Sequence, residues 1–463
     1  MGLDKKVDEL KDDLIESVKR VVKIKSVQGE SKAGMPFGEG PRRVLDCALD
    51  ISKKLGFKTV NMDGYIGYAE YGQGDDYVAI LGHLDVVPEG DGWKYPPFAA
   101  EIHDGKMYGR GTMDDKGPTM AALYGLKAIK DLNLPLSKRV RVIFGTNEET
   151  GSKEVKYYMD KEKAPVLGFT PDAEYPIIYA EKGITIFDVV KDLKAGCKKG
   201  YSVKSIKGGT APNAVPAYCE CIIGGGSTED LKKLSVEFSN KTGFDIRVEA
   251  DKEGTVIKAY GLAAHGSLPE LGKNAVMRMF AFLDTLPLDN PELKDYIHFF
   301  NKYVGEETDG ESFGVYLEDK ESGRVTFNVG CVEMKDNSIK LSLNIRYPVT
   351  YTFDDLMNPF NKKLEGTGIK VKNMMHQKPL YFHANHPLIK ALQKVYEEQT
   401  GKKADLLAIG GGTYAKEMPN IVAFGPIFPG KPDLDHQANE YIEIEDLIAN
   451  AKIYAHAIYE LAK

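Results

Sequence analysis

What most limits the folds open to this chain is an alternation of strand-like and helix-like segments that stops and later resumes. From Gly40, "GPRRVLDCALDISKKLG", "DYVAILGHLDVV", "KGPTMAALYGLKAIKDL", "KRVRVIFGTNEE", "GSKEVKYYMDK" and "VLGFTPDAE" read as helix, strand, helix, strand, helix and strand. Such alternation predicts an α/β layer around a mostly parallel sheet, with ligands beyond the carboxyl ends of its strands. From about Gly183 the texture turns to β-rich stretches with polar turns, among them "GITIFDVVKDL", "GYSVKSIKGG", "YCECIIGGG" and "TVIKAYGLAAHGS". Segments "KNAVMRMFAFLDTL" and "TFDDLMNPFNKKLEG" read as flanking helices. After Pro379 the α/β texture returns with helix "PLIKALQKVYEEQTG", the glycine cluster "IGGGTYAK", strand "IVAFGP" and a terminal helix from "EIEDL" onward. The reading is an α/β chain of two domains, one formed by 1–182 and 380–463, the other an α+β domain, 183–379, inserted into it. A length of 463 residues exceeds one ordinary core and suits two.

With 42% hydrophobic and 28% charged residues the composition is that of a globular protein. A net charge of -7 without a basic cluster argues against a nucleic-acid partner, because phosphate binding needs a positive face. In "MGLDKKVDELKDDLIESVKRVVKI", Val7, Leu10, Leu14, Val18, Val21 and Val22 recur at helical spacing. That is an amphipathic surface helix rather than the apolar core of a signal peptide. No apolar run approaches the roughly 18 residues of a membrane span, so no membrane partner is expected. Cys47, Cys197, Cys219, Cys221 and Cys331 are scattered and odd in number. They fit neither a disulfide framework nor a structural zinc site, and reduced thiols in the cytoplasm are the simplest reading.

The chemistry gathers where strands end. "LGHLDVV" closes a buried strand with His83 and Asp85, two groups costly to bury unless something pairs with them. Residues i and i+2 share one side of a strand, and a carboxylate beside a metal-bound imidazole fixes its tautomer. Alone, the pair also reads as a polar strand end. Asp114 and Asp115, in "GRGTMDDKGP", precede Pro118, which suits the first turn of a helix. They stand at its positive end, as caps or as ligands. Glu148 and Glu149 in "FGTNEETG" and Asp172 in "VLGFTPDAE" follow two further strands. A solvated loop explains any one of these; a shared cation explains their common location. His436, in "DHQANEYI", lies between a strand and the final helix and is either the last ligand or a loop imidazole. Two histidines and three acids would hold two borderline cations, zinc foremost, with manganese and cobalt fitting the same donors. A bridging carboxylate would set them roughly 3.5 to 4 Å apart, sharing an attacking water. One acid is then left as a base, which accounts for the adjoining glutamates.

"GHLDVVPEGDGW", "YGRGTMDDKGP", "GTNEETG", "TPDAEYP", "AAHGSLPELGKNA", "NIRYP" and "DHQANEYI" occur in this order along nearly the whole chain. Together they resemble the M20 family of dinuclear metallopeptidases, and within it the bacterial PepV-type dipeptidases. The resemblance implies two Zn2+ per chain, His83 and Asp172 on one, Glu149 and His436 on the other, and Asp114 as the bridge. Asp114 rather than Asp115 is chosen as the first residue after the two variable positions of "GRGxxD". Asp85 would orient His83 and Glu148 would be the general base. The inserted domain corresponds to the family's lid, and Asn213, His265 and Arg346 match lid residues that reach toward substrate. His265 would stabilise the oxyanion, and Arg346 would offer a fork to a substrate carboxylate. Without the resemblance these two read as a turn histidine and a surface salt bridge. "AIGGGTYAK" resembles the family's glycine-rich segment, a nest for a carboxylate or a tight turn, and does not follow the G-x-G-x-x-G dinucleotide pattern.

A long lid of this kind implies a monomer with a closed cavity sized for dipeptides. The expected activity is metal-dependent hydrolysis of small dipeptides with a free amino terminus. An N-acyl-amino-acid or succinyl-diamino-acid amidohydrolase would use the same cluster and stays open as the alternative. A non-catalytic binding protein on this scaffold would lack the base or a ligand, whereas Glu148 and all five candidate ligands are present.

Overall fold

The computed structural model describes residues 2–194, 199–252, 254–335 and 337–463, so Cys197 lies outside the described residues. The chain divides into two units. The first comprises Met1–Tyr179, Phe382–Leu407 and Gly412–Lys463; the second comprises Ala180–Tyr381 and Ala408–Gly411. Ala408–Gly411, part of the glycine cluster that the sequence reading put with 380–463, therefore groups with the second unit.

At the centre of the first unit, strands Arg139–Gly145, Tyr77–His83, Leu167–Thr170 and Ile421–Ala423 run parallel as successive neighbours. Strands Ile66–Tyr71 and Lys58–Met62 continue one margin antiparallel, and Ile178 pairs antiparallel with Ala423 at the other. The parallel arrangement expected from the alternating helices is thus the heart of a mixed sheet. Every residue of Tyr77–His83 is buried, as for a strand covered on both faces. Helix Lys116–Asp131 packs on this strand and against the terminal helix Ile444–Ala462. Their backbones meet at Gly125, where a Cβ would stand 2.9 Å from the amide nitrogen of Ala455. The single N-terminal helix expected from periodicity is two, Leu3–Glu9 and Lys11–Val22, separated at Leu10. The first packs against both the terminal helix and Lys116–Asp131, and the second against Lys116–Asp131.

The second unit is built on an eight-stranded antiparallel sheet. Its order is Asp245–Asp251, Gly254–Tyr260, Tyr218–Gly224, Ser202–Gly208, Thr326–Lys335, Ser338–Tyr347, Gly183–Asp192 and Lys370–Gln377. Burial alternates along Gly183–Asp192, the period-two pattern of a sheet with one face on a core. That core includes Phe187, Phe280, Phe300, Phe313, Leu341, Leu343 and Phe360. Helices Ala275–Leu283 and Phe353–Leu364 occur where periodicity placed them. Helices Thr228–Thr242 and Pro291–Tyr303 and the strand Asp245–Asp251 were not anticipated. Among the described residues no helix is long and apolar enough to cross a membrane.

Candidate metal centre

Register gathers the site. His83 pairs with Gly145 and Ile80 with Phe169, so three parallel strands end at one rim. The loops leaving that rim carry Asp85, then Glu148 and Glu149 in a short 3-10 turn, then Asp172. Asp114 arrives on the segment that enters helix Lys116–Asp131. His83 Nε2 lies 2.8 Å from Asp114 Oδ1 and 3.7 Å from Asp172 Oδ1. His436 Nε2 lies 3.3 Å from Asp114 Oδ2 and 3.0 Å from Glu149 Oε2. One oxygen of Asp114 thus faces each imidazole. His83, Asp114 and Glu149 each bring a donor atom within 4.8 Å of the other two.

These residues fit a metal. His83 Nε2 and Glu149 Oε1 are buried without a hydrogen-bond partner, although Asp114 Oδ1 is close to the former. Buried polar atoms left unsatisfied are costly, and imidazole nitrogens with carboxylate oxygens are the donors that zinc, manganese and cobalt accept. The electrostatics agree. Burial opposes a charge on His83, but Asp114, Asp172 and Asp85 hold its pKa well above the ordinary value. Hydrogen bonds to Asp114 and Glu149 lift His436 to about 11. Burial works against ionised Asp114 as well, yet His83 and His436 hold its carboxyl far below the usual range. Glu148 is pushed well up by burial and by Asp172, Glu149 and Asp85; Glu149 rises through burial and Asp114. So many carboxylates can ionise together only beside further positive charge.

The main chain supplies part of the positioning. The strand stops at His83, so the i, i+2 alternation does not carry on to Asp85. His83 Nδ1 faces the Asp85 carbonyl oxygen at 3.1 Å, whereas the Asp85 carboxylate stands at 3.6 Å. A carbonyl only accepts, so Nδ1 carries a hydrogen, which leaves Nε2 as the nitrogen that faces the acids and would hold a cation. Asp85 thus meets His83 Nδ1 through its backbone carbonyl, with its carboxylate standing farther off. The Asp85 carboxylate instead accepts the amides of Glu148 and Glu149, each at 3.2 Å. Asp115 Oδ2 accepts the His83 amide at 3.2 Å and the Thr119 hydroxyl at 3.0 Å. Gly82 makes this approach fit, because a Cβ there would fall 1.9 Å from Thr119 Oγ1.

Glu440 is a residue the sequence reading missed. It is fully buried, accepts Arg110 Nη1 at 2.8 Å, and takes the amides of Gly111 and Met113 at 3.0 and 2.9 Å. It shapes the loop that presents Asp114, and burial together with Asp114 raises its pKa to about 7. The signal was present as an acid four residues after His436, opposite the arginine of "GRG".

The second unit brings Asn213, His265 and Arg346 together. His265 pairs with Ala214 across two short strands, and the Gly266 amide donates to the Asn213 carbonyl at 2.7 Å. Burial and the charge of Arg346 lower the His265 pKa. Arg346 is buried, with Nε on Asn344 Oδ1 at 3.1 Å and Nη1 on the Gly410 carbonyl at 2.7 Å. It is not a surface salt bridge, and the glycine cluster serves here as an acceptor.

Residues 79–460 match the family model described as "Peptidase family M20/M25/M40". The chain is 42% identical over 467 residues to the Bacillus subtilis (strain 168) protein named "Putative dipeptidase YtjP", with all of each chain covered. Its fold is similar to that of aminoacylhistidine dipeptidase from Vibrio alginolyticus, at TM-score 0.60 and 12% identity over 97% of this chain and 96% of that one. Human carnosine dipeptidase 1 shares the fold at TM-score 0.57 and 16% identity, over 99% and 98% of the two chains.

Proposed function

The chain belongs to peptidase family M20/M25/M40 and is a peptide-bond hydrolase, and from that premise we propose a two-metal dipeptidase acting on dipeptides with a free amino terminus. The observation that carries this reading is the Asp114 carboxylate set between two imidazoles, 2.8 Å from His83 Nε2 and 3.3 Å from His436 Nε2. His83 and Asp172 would hold one cation, Glu149 and His436 the other, and Asp114 would join them. When bound, such a pair lowers the pKa of a water and polarises the scissile carbonyl, with zinc, manganese or cobalt serving.

Glu148 takes the proton of the attacking water and returns it to the leaving amine. Its raised pKa suits a base that must retain that proton briefly. His265 donates to the developing oxyanion. The Ser267 amide donates to its Nδ1 at 3.3 Å, which places the hydrogen of the neutral ring on Nε2. Asn213 and Arg346 hold the carboxylate end of the substrate. The inserted segment acts as a lid, and the enzyme works as a monomer in the cytoplasm, where its free cysteines stay reduced.

Matched dipeptides, free and N-acetylated, test the substrate class on metal-loaded protein. The free set is cleaved and the acetylated set is slower by roughly 100-fold or more. The reverse preference would replace the dipeptidase by the N-acyl or succinyl amidohydrolase.

A further inference from the structure

Arg346 is a buried guanidinium whose hydrogen-bond partners in the described residues, Asn344 Oδ1 and the Gly410 carbonyl, carry no charge. Burial by itself lowers its pKa to about 10. A buried cation without a counter-charge is costly, and such a group is the natural receptor of an anion.

The neighbouring strands extend this receptor. Thr326 lies opposite Arg346 and Asn328 opposite Asn344, so the four share one side of the sheet, all buried. Thr326 Oγ1, Asn328 Oδ1 and Asn344 Nδ2 have no hydrogen-bond partner. Chemistry fixes how the two amides point. Arg346 Nε–H requires an oxygen, so Asn344 turns Oδ1 to it and leaves its NH2 group available. Asn328 spends its NH2 group on the carbonyls of Pro212 and Ala214, at 2.8 and 3.0 Å, which ties the row to the neighbours of Asn213. Donor and acceptor therefore stand opposite in register yet unjoined, and the row is not closed on itself. A guanidinium, an amide donor and a hydroxyl without an acid make the complement of a carboxylate.

We infer that Asn344 and Thr326 complete a carboxylate site with Arg346, and that the amide at position 344 selects substrates with a free C-terminal carboxylate. The amide orients Arg346 without neutralising it and offers a hydrogen to the second carboxylate oxygen. An aspartate of the same shape would orient Arg346 equally well, but would pair with its charge and repel the ligand. This inference deepens the dipeptidase reading and rests on it.

The test is calorimetric binding to the metal-loaded full chain carrying Glu148→Ala, which keeps the ligand intact. A dipeptide and its C-terminal amide are compared. The Glu148→Ala chain binds the free acid tighter by roughly 10- to 100-fold, and adding Asn344→Asp abolishes that preference. Thr326→Val supplies the second variant. It removes a hydroxyl that bonds nothing in the fold, so its Tm does not fall, while affinity for the free acid drops by roughly 5-fold or more. A preference for the acid that survives in both variants overturns the inference. Its failure is separable from failure of the function. Hydrolysis of dipeptides by the parent chain with the preference unmoved rejects this site alone; absence of hydrolysis with the preference lost on Asn344→Asp rejects the dipeptidase and keeps the site.

Discussion

Glu148→Gln lowers kcat by roughly 100- to 10,000-fold while the protein still takes up its full complement of metal. The glutamine has the size of the glutamate and keeps the backbone amide that donates to Asp85 Oδ1, so the turn that also presents Glu149 is preserved. What it cannot do is accept a proton. With Glu148 as the proposed base on the water rather than a contact to the resting substrate, KM changes little, the pattern of an interaction made only in the transition state. Steady-state kinetics with elemental analysis on the same preparation check this. Activity and metal falling together would make Glu148 a ligand, and an unchanged kcat would place the base elsewhere.

Asp114→Asn acts on binding instead. Each oxygen of Asp114 faces a different imidazole, so removing its charge weakens both metal positions, by roughly 100-fold or more at each. Competition with a chromophoric chelator measures the two affinities. Asparagine preserves the shape of the loop, whose amides at Gly111 and Met113 are held by Glu440, so the loss reflects charge and not collapse. Loss of one metal with the other held at its original affinity would remove Asp114 from the bridging role and assign it to a single cation.

Both effects depend on a convergence that is only half visible in the chain. That His83, Glu148, Glu149 and Asp172 stand at strand ends is written in the apolar runs before them. That those ends share a rim follows from parallel register, His83 beside Gly145, which no local pattern displays. That the Asp85 carboxylate accepts the amides of Glu148 and Glu149 was not legible, because the strand ends at His83 and the loop beyond it has no period to read. Glu440 escaped notice for a related reason. A glutamate beside asparagine and tyrosine looks like surface until its partner, Arg110, is brought alongside from far back in the chain.

The fold shows the same division. Helix Lys116–Asp131 and the terminal helix were legible because their apolar residues repeat over several turns. Helix Thr228–Thr242 buries only Leu231 and Ser235, so tertiary packing of a thin apolar edge, rather than a strong period, sustains it behind the Ser227 cap. The uncompensated charge of Arg346 belongs to this second class, since it depends on which residues lie across the strand and along Ala408–Gly411.

The central claim is that two cations share the Asp114 carboxylate and that peptide hydrolysis needs both. The most direct measurement strips the protein with chelator, then titrates zinc or manganese while bound metal and dipeptide hydrolysis are followed together. The account predicts no hydrolysis in the stripped protein and recovery that saturates at about two metals per chain. Hydrolysis that persists without metal, or that is complete at one metal per chain, would contradict it.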